Sequence, residues 1–287
     1  MTDQGRAVRP RRSVLFVPAA NPRALAKARD LACDAVLLDL EDSVAPEAKH
    51  AARAAAMEAV GQGFGGREVV VRCNGLDTPW GAADLDAIVH AGPDAVLAPK
   101  IRSAADILAF DRALAAAPAR TRLWIMVETP QAVLNLKELV EAAGRTRLDA
   151  LALGPNDLSA ELRLPRSRDR KPLHPILSQL VVAARAHGLV ALGGAFNAFE
   201  DAAGFEAECR EEASFGFDGK TLIHPRQIEA ANRVFSPSPE ARAWAEAVVA
   251  AFSAPEAEGK GAIRLDGQMI ERLHLREAER LLALARP

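Results

Sequence analysis

The chain has no tyrosine and only three cysteines, Cys33, Cys73 and Cys209. They lie far apart in no metal-ligand spacing, and an odd count speaks against a disulfide framework, so the thiols are expected to be reduced and buried. Lysine is scarce as well, seven of 36 basic residues, and the arginines are scattered rather than massed. Against 38 acidic residues this leaves a formal net charge of −2, so no global field draws the chain to nucleic acid or to anionic lipid. Long apolar runs are missing too. The basic start, Arg6, Arg9, Arg11 and Arg12, leads into a short apolar strand and then polar residues, which is neither a signal-peptide core nor a membrane span. A cytoplasmic protein with small-molecule partners is expected, with no nucleic-acid or membrane partner.

Apolar residues make up 49% of the 287, enough to bury a large core. Short β-branched runs alternate with longer alanine-rich amphipathic stretches, the pattern of a parallel sheet covered by helices. The strand candidates are Ser13–Val17, Ala35–Asp39, Glu68–Arg72, Asp94–Ala98, Leu123–Val127, Asp149–Leu153 and Leu189–Gly193, with a weaker eighth at Ala213–Phe217. Helix-start signals follow them: Asn21-Pro22, Pro46, Thr78-Pro79, Ser103, Thr129-Pro130 and His174-Pro175. A dinucleotide fold would carry a glycine-rich turn after its first strand, whereas this turn reads Pro18-Ala19-Ala20-Asn21-Pro22. Eight βα units in roughly 235 residues predict a (β/α)8 TIM barrel over residues 11–235.

Residues 236–287 exceed what a barrel needs. Ser236-Pro237-Ser238-Pro239 reads as a stiff linker and helix start, followed by an amphipathic helix to about Ala254. A Gly259-Lys260-Gly261 loop then leads through Asp266-Gly267 to a last helix, Met269–Ala285. The expectation is a C-terminal helical extension, either packing helices or a cap that completes a neighbouring subunit's site.

In such barrels ligands bind at the C-terminal ends of the strands. Those ends carry Asp39, Glu41 and Asp42, then Arg72 and Asn74, Lys100, Glu128 and Asp157. A single charge past an apolar strand is readily solvated, but here charges follow strand after strand. Carboxylates crowded at a barrel mouth repel one another and need a cation to stay ionised, and Arg72 and Lys100 are too few for that. Glu128 and Asp157 are therefore metal candidates: hard oxygen donors on adjacent strands with no histidine or cysteine nearby to favour zinc, so Mg2+ fits best. His174 and His224 each precede proline and read as turn or helix-start residues.

Several segments together carry a family likeness: Ser13-Val-Leu-Phe-Val-Pro18, Asn21-Pro-Arg23, Asp39-Leu-Glu-Asp-Ser-Val-Ala-Pro46, Val71-Arg-Cys-Asn74, Pro99-Lys100, Val127-Glu-Thr-Pro130, Gly154-Pro-Asn-Asp-Leu158 and Asp218-Gly-Lys-Thr-Leu-Ile-His-Pro225. In this order they resemble the citrate lyase β-subunit-like family of the HpcH/HpaI aldolase superfamily, which includes the malyl-CoA and citramalyl-CoA lyases. The resemblance spans almost the whole chain. It implies a homotrimer or hexamer, Mg2+ held by Glu128 and Asp157, and an oxo-acid contacted by Arg72 and Glu128. Glu41 and Lys100 join these as candidate substrate contacts, and Arg23 and Lys27 match early basic positions that would meet CoA phosphates.

The CoA-using branch brings an aspartate from a neighbouring subunit's tail, in a Met-Ile-Asp motif; this sequence has Met269-Ile270-Glu271. Glu271 keeps the carboxyl one methylene further out. Ala19 stands where glycine is usual and Gly194 where an aspartate is common. Asp42 stands where the aldolases carry a histidine, which changes the available acid–base group. The expected catalytic set is Arg72, Asp39, Asp42 and Glu271. The expected reaction is Mg2+-dependent cleavage of a carbon–carbon bond in a β-hydroxyacyl-CoA of the malyl, citramalyl or citryl type, giving an acyl-CoA and a 2-oxo acid. The alternatives are a CoA-independent aldolase on hydroxy-oxo-acids and a binding homologue that has lost turnover.

Overall fold

Eight parallel strands close into a barrel in the computed structural model, which describes residues 9–165 and 170–285. They are β1 (Ser13–Pro18), β2 (Ala35–Asp39), β3 (Glu68–Arg72), β4 (Ala95–Ala98), β5 (Arg122–Val127), β6 (Leu148–Leu153), β7 (Val190–Gly193) and β8 (Gly219–Leu222). The circle closes where Ser13, Val14 and Leu15 of β1 pair with Lys220, Thr221 and Leu222 of β8. Helices α1 (Pro22–Ala28), α2 (Lys49–Gln62), α3 (Gly81–Ala91), α4 (Ala104–Ala113), α5 (Pro130–Leu134), α6 (Leu136–Glu141), α7 (Pro155–Glu161), α8 (His174–Ala186), α9 (Ala202–Phe215) and α10 (Ile228–Val234) occupy the connections and follow β8. This is a (β/α)8 barrel, as the alternating pattern predicts.

The start signals act as the sequence implies. The Asn21 side chain accepts from the Ala24 N–H at 3.1 Å, Thr129 Oγ1 from the Ala132 N–H at 3.0 Å, and Ser103 N–H donates to Asp106 at 2.9 Å. His174 begins α8 and His224 caps the turn at Pro225–Gln227. The barrel interior is filled by Val14, Leu37, Val70, Leu97, Trp124, Met126 and Leu192, with Ala95, Ala150 and Ala152 making room for the fully buried indole of Trp124. At the N-terminal end of the strands Arg11 pairs with Glu68 at 2.7 Å and Asp149 at 2.8 Å, its guanidinium 4.7 Å from the Trp124 ring. Charge therefore closes this end, and the opposite end is left for chemistry.

The eighth strand is not where the apolar run Ala213–Phe217 places it. Phe205, Cys209 and Glu212 are buried at helical spacing, so α9 runs through Ala213 to Phe215 and stops at Gly216, whose φ of +98° is left-handed. The strand is Gly219–Leu222. A Cβ on Gly219 would lie 1.9 Å from the Arg11 carbonyl oxygen, so only glycine lets β8 pass the segment entering β1. The three cysteines are free and buried, and burial raises the thiols of Cys33 to about 11 and Cys209 to about 12, which makes neither a nucleophile at neutral pH.

Arg11–Asn232 form one compact unit, and the described residues from Arg233 onward belong to a second. In the second unit α11 (Pro239–Ser253) and α12 (Arg272–Leu284) pack with a two-stranded antiparallel sheet, β9 (Ala262–Leu265) and β10 (Gln268–Glu271), around Ala245, Val248, Ile270 and Ala278. The expected last helix from Met269 is thus corrected: Met269, Ile270 and Glu271 are a strand. Asp266 and Gly267, with φ of +49° and +80°, make the two-residue turn that an Asp-Gly pair favours in a hairpin. No helix among the described residues is long and apolar enough to cross a membrane.

Candidate active site

The C-terminal ends of β2 to β6 bring one charged cluster together. Asp39, at the end of β2, takes both arms of the Arg72 fork: Nε donates to Oδ1 at 2.7 Å and Nη2 to Oδ2 at 2.8 Å. The backbone N–H groups of Glu41 and Ser43 donate to the same carboxylate, at 2.9 and 3.1 Å. Every direction of Asp39 is filled, so in this geometry it holds Arg72 and the loop after β2. The remaining arm of Arg72, Nη1, lies 2.9 Å from Glu41 Oε2 and 3.2 Å from Asp42 Oδ2, and the guanidinium lies 4.8 Å from the Phe16 ring. Of the three acids, Asp42 alone is well exposed.

Across the mouth, Glu128 follows β5 and is fully buried. Its Oε1 accepts the Lys100 backbone N–H at 2.7 Å. Lys100 Nζ lies 3.5 Å from Glu128 Oε2 and 2.7 Å from Asp157 Oδ2. Asp157 reaches this place from the first turn of α7, just after β6. Residues 12–225 match the HpcH/HpaI aldolase/citrate lyase family.

The chain belongs to that family. It is 45% identical to a (3S)-malyl-CoA thioesterase of Cereibacter sphaeroides over 277 residues, covering 96% of this chain and 95% of the relative. It is 35% identical to an L-malyl-CoA/beta-methylmalyl-CoA lyase of the same organism, covering 94% of this chain and 93% of that one. Among solved structures it is similar to protein CitE of Mycobacterium tuberculosis in complex with magnesium, acetoacetate and coenzyme A, with 33% identity, a TM-score of 0.76 and coverage of 97% and 98%. The citrate lyase beta subunit from M. tuberculosis complexed with oxaloacetate and magnesium gives 31% identity and a TM-score of 0.68 over 79% of this chain and 98% of that one. The family takes its name from aldolases and a citrate lyase, and the protein is an enzyme of that family.

The family's metal can be tested against the residues present. Among the described residues no group of three or more His, Cys, Asp or Glu is poised around one point. Glu128 and Asp157 form a pair, and Glu128 Oε2 is buried without a hydrogen-bond partner. Two hard carboxylates with an unsatisfied oxygen suit Mg2+, which keeps several octahedral positions for water and substrate. Gly154 makes room for Glu128. A Cβ there would sit 2.4 Å from the Glu128 Cβ and 2.8 Å from Oε2, so any larger residue would push the carboxylate out of place.

Sequence reasoning missed the support beneath the acids. Lys49 of α2 donates to the carbonyls of Leu40 and Glu41, both at 2.8 Å, and to Asn74 Oδ1 at 2.7 Å. Asn74 in turn donates to Asp84 at 2.6 Å, and Asp84 accepts from Arg53 at 2.6 Å. This buried chain fixes the loop that carries Glu41 and Asp42. Arg23 and Lys27 are exposed on α1 and make none of the contacts just described, and Glu271 belongs to the second unit, at the end of β10, its N–H donating to His274 Nδ1 at 2.9 Å.

Burial pushes Glu41 up to about 8; Arg72 at 2.9 Å offsets this only in part, and the nearby charges of Asp42 and Glu128 oppose a further anion. Glu128 is raised to about 7, by burial first and by crowding from Asp157, with Lys100 only partly offsetting it. Burial alone would raise Asp39 and Asp157, but Arg72 holds Asp39 below the usual carboxylate range and Lys100 does the same for Asp157. A carboxyl raised in the folded state stabilises it below the unfolded pKa of about 4.3, and that contribution is lost as pH rises through the folded value. Metal-free protein is therefore expected to lose stability relative to Glu41→Gln as pH rises from about 4.3 to about 8. Thermal unfolding of both in chelator checks this; parallel pH profiles would contradict the shift.

Proposed function

We propose that the protein is a Mg2+-dependent lyase that cleaves a β-hydroxyacyl-CoA of the malyl-CoA or citramalyl-CoA class into an acyl-CoA and a 2-oxo acid. The observation that carries this reading is the mouth cluster itself, where the Arg72 fork faces the Glu128–Asp157 pair. Its likeness to relatives named for malyl-CoA chemistry, and to a CitE structure holding magnesium and coenzyme A, supports the substrate class. Both of those curated relatives act on CoA thioesters by name, and Asp42 replaces the aldolase histidine, so a CoA-independent aldolase is the weaker alternative.

Mg2+ bound by Glu128 and Asp157 would polarise the oxygen beside the substrate carboxylate. Arg72 Nη1, the arm not used by Asp39, donates toward the same oxygens and balances their charge. Lys100 meets the carboxylate from the other side, and Glu41 bounds the pocket as a neutral acid. Asp42, the exposed acid beside Arg72, takes the proton of the substrate hydroxyl. The electrons of that O–H bond form the new carbonyl, the carbon–carbon bond breaks, and its pair passes into the thioester as an enolate. Glu271, brought by a neighbouring copy in a homotrimer or hexamer, protonates the enolate carbon, and Arg23 and Lys27 receive CoA phosphates.

A second reading is hydrolysis of the thioester, favoured by the 45% identity to a thioesterase. Water then attacks the thioester carbonyl and the CoA thiolate leaves, while the acid's carbon skeleton stays whole. One assay separates the readings. With Mg2+ and malyl-CoA, cleavage releases glyoxylate, trapped as its phenylhydrazone, with no free thiol; hydrolysis releases free CoA thiol and malate. Release of neither product from malyl-CoA or citramalyl-CoA by folded protein would overturn both and leave the binding homologue.

A further inference from the structure

We propose that Lys100 is a resident cation of the Glu128–Asp157 pair, one that a divalent ion displaces on binding and that then turns to the carboxylate of the incoming acid. The inference rests on the reading of Glu128 and Asp157 as the Mg2+ pair and adds a competitor to it.

Three observations carry it. The first is position: Nζ is 2.7 Å from Asp157 Oδ2 and 3.5 Å from Glu128 Oε2, so the ammonium lies against both carboxylates at once. Mg2+ binds oxygen at about 2.0–2.1 Å in a strict octahedron. An ion held by both carboxylates would take up the space between them, and a second cation could not keep its contacts there. The second is backbone. Lys100 has a φ of +53°, a left-handed conformation that side-chain-bearing residues rarely adopt. It is held there by its N–H, which donates to Glu128 Oε1 at 2.7 Å. That bond does not involve the ammonium, so Glu128 stays anchored when the side chain leaves. The third is exposure. The Lys100 side chain is 29% exposed beside a fully buried Glu128, so its flexible stem has a path toward the open mouth.

The exchange has a consequence for order. While Nζ neutralises the two acids it is not available to a substrate carboxylate; a bound divalent ion takes over that neutralisation and frees it. Metal and acid should then favour each other's binding, and by linkage equally in both directions. Lys100 would thus act in turn as a stand-in for the metal and as a substrate contact.

The test is metal binding without substrate, read by calorimetry with Mg2+ and by electron paramagnetic resonance with Mn2+. Wild type is compared with Lys100→Met, which removes the charge, and Lys100→Gly, which removes it while accepting the left-handed backbone without strain. Both variants are expected to bind either ion about tenfold more tightly, a change of about 1.4 kcal/mol. Saturating metal should also tighten oxaloacetate binding in wild type and do so less in the variants. If wild type binds metal, Glu128→Gln abolishes that binding, and neither Lys100 variant binds more tightly, the proposal is overturned and the metal reading stands. If wild type binds no metal, or Glu128→Gln binds it unchanged, the metal reading falls and takes the proposal with it.

Discussion

Arg72→Lys is expected to lower kcat/KM on the CoA thioester by about 10²- to 10³-fold, the usual cost of removing one fixed donor to developing charge. Lysine keeps the charge but not the fork. In the wild-type geometry two arms are spent on Asp39, and only because they are does the third face Glu41, Asp42 and the mouth. A single ammonium cannot hold Asp39 in a bidentate grip and present a donor to substrate as well. Arg72→Met goes further, leaving the buried Asp39 carboxylate with only the donors of the loop after β2, from Glu41 and Ser43, and should cost about 3–5 kcal/mol of stability besides activity. Steady-state kinetics and thermal unfolding on both variants separate the two roles. Near wild-type kcat/KM in Arg72→Lys would show that the fork only holds the loop after β2.

Both the barrel and most of its mouth are readable before any coordinates, for the same reason. Strands β1 to β7 are largely apolar runs because they are buried on both faces, and each ends where the chain meets the mouth. A charge directly after such a run therefore marks both a boundary and a position at the ligand-binding end. Asp39, Arg72, Lys100, Glu128 and Asp157 all stand out in this way, and the structure gathers them. Lys49 does not stand out. It sits at the start of an alanine-rich helix, where a lysine is ordinarily solvated, and only the fold shows that its ammonium is spent on the carbonyls of Leu40 and Glu41. Gly154 is silent for another reason: its role is space for the Glu128 side chain, which no local pattern records.

The two misplaced elements have separate causes. Met269–Glu271 continues into a strongly amphipathic helix, and the helical period there masks a four-residue strand whose evidence is the turn before it. The eighth strand was masked by its own chemistry. Gly219-Lys220-Thr221-Leu222 reads as polar turn, while Ala213–Phe217 reads as strand, because a wholly buried lysine is contrary to every expectation from hydropathy.

That lysine leads to a second large stability effect. Lys220 is fully buried, and its Nζ donates to Glu212 Oε1 and Oε2 at 2.7 and 2.8 Å and to Glu208 Oε1 at 2.7 Å. Arg170 adds a donor to Glu208 at 2.8 Å. Glu212 is buried as deeply, and the space it fills exists because residue 193 is glycine, where a Cβ would lie 1.9 Å from Glu212 Oε2. Burial raises the Glu212 carboxyl even against the attraction of Lys220, with Arg170 adding a weaker pull, so the anion depends chiefly on that ammonium. Lys220→Met should strand Glu212 between β7, β8 and α9 and cost about 3–5 kcal/mol, since breaking a buried pair from one side leaves an uncompensated charge. For a unit of this size that is a fall in melting temperature of about 6–20 °C. Lys220→Met combined with Glu212→Leu removes both charges and should recover much of the loss, because a buried pair is worth little against apolar packing of similar volume. A Lys220→Met variant that melts within a degree of wild type would mean that water or a neighbouring cation reaches Glu212. A double variant no better than the single would place the cost in lost packing rather than in stranded charge.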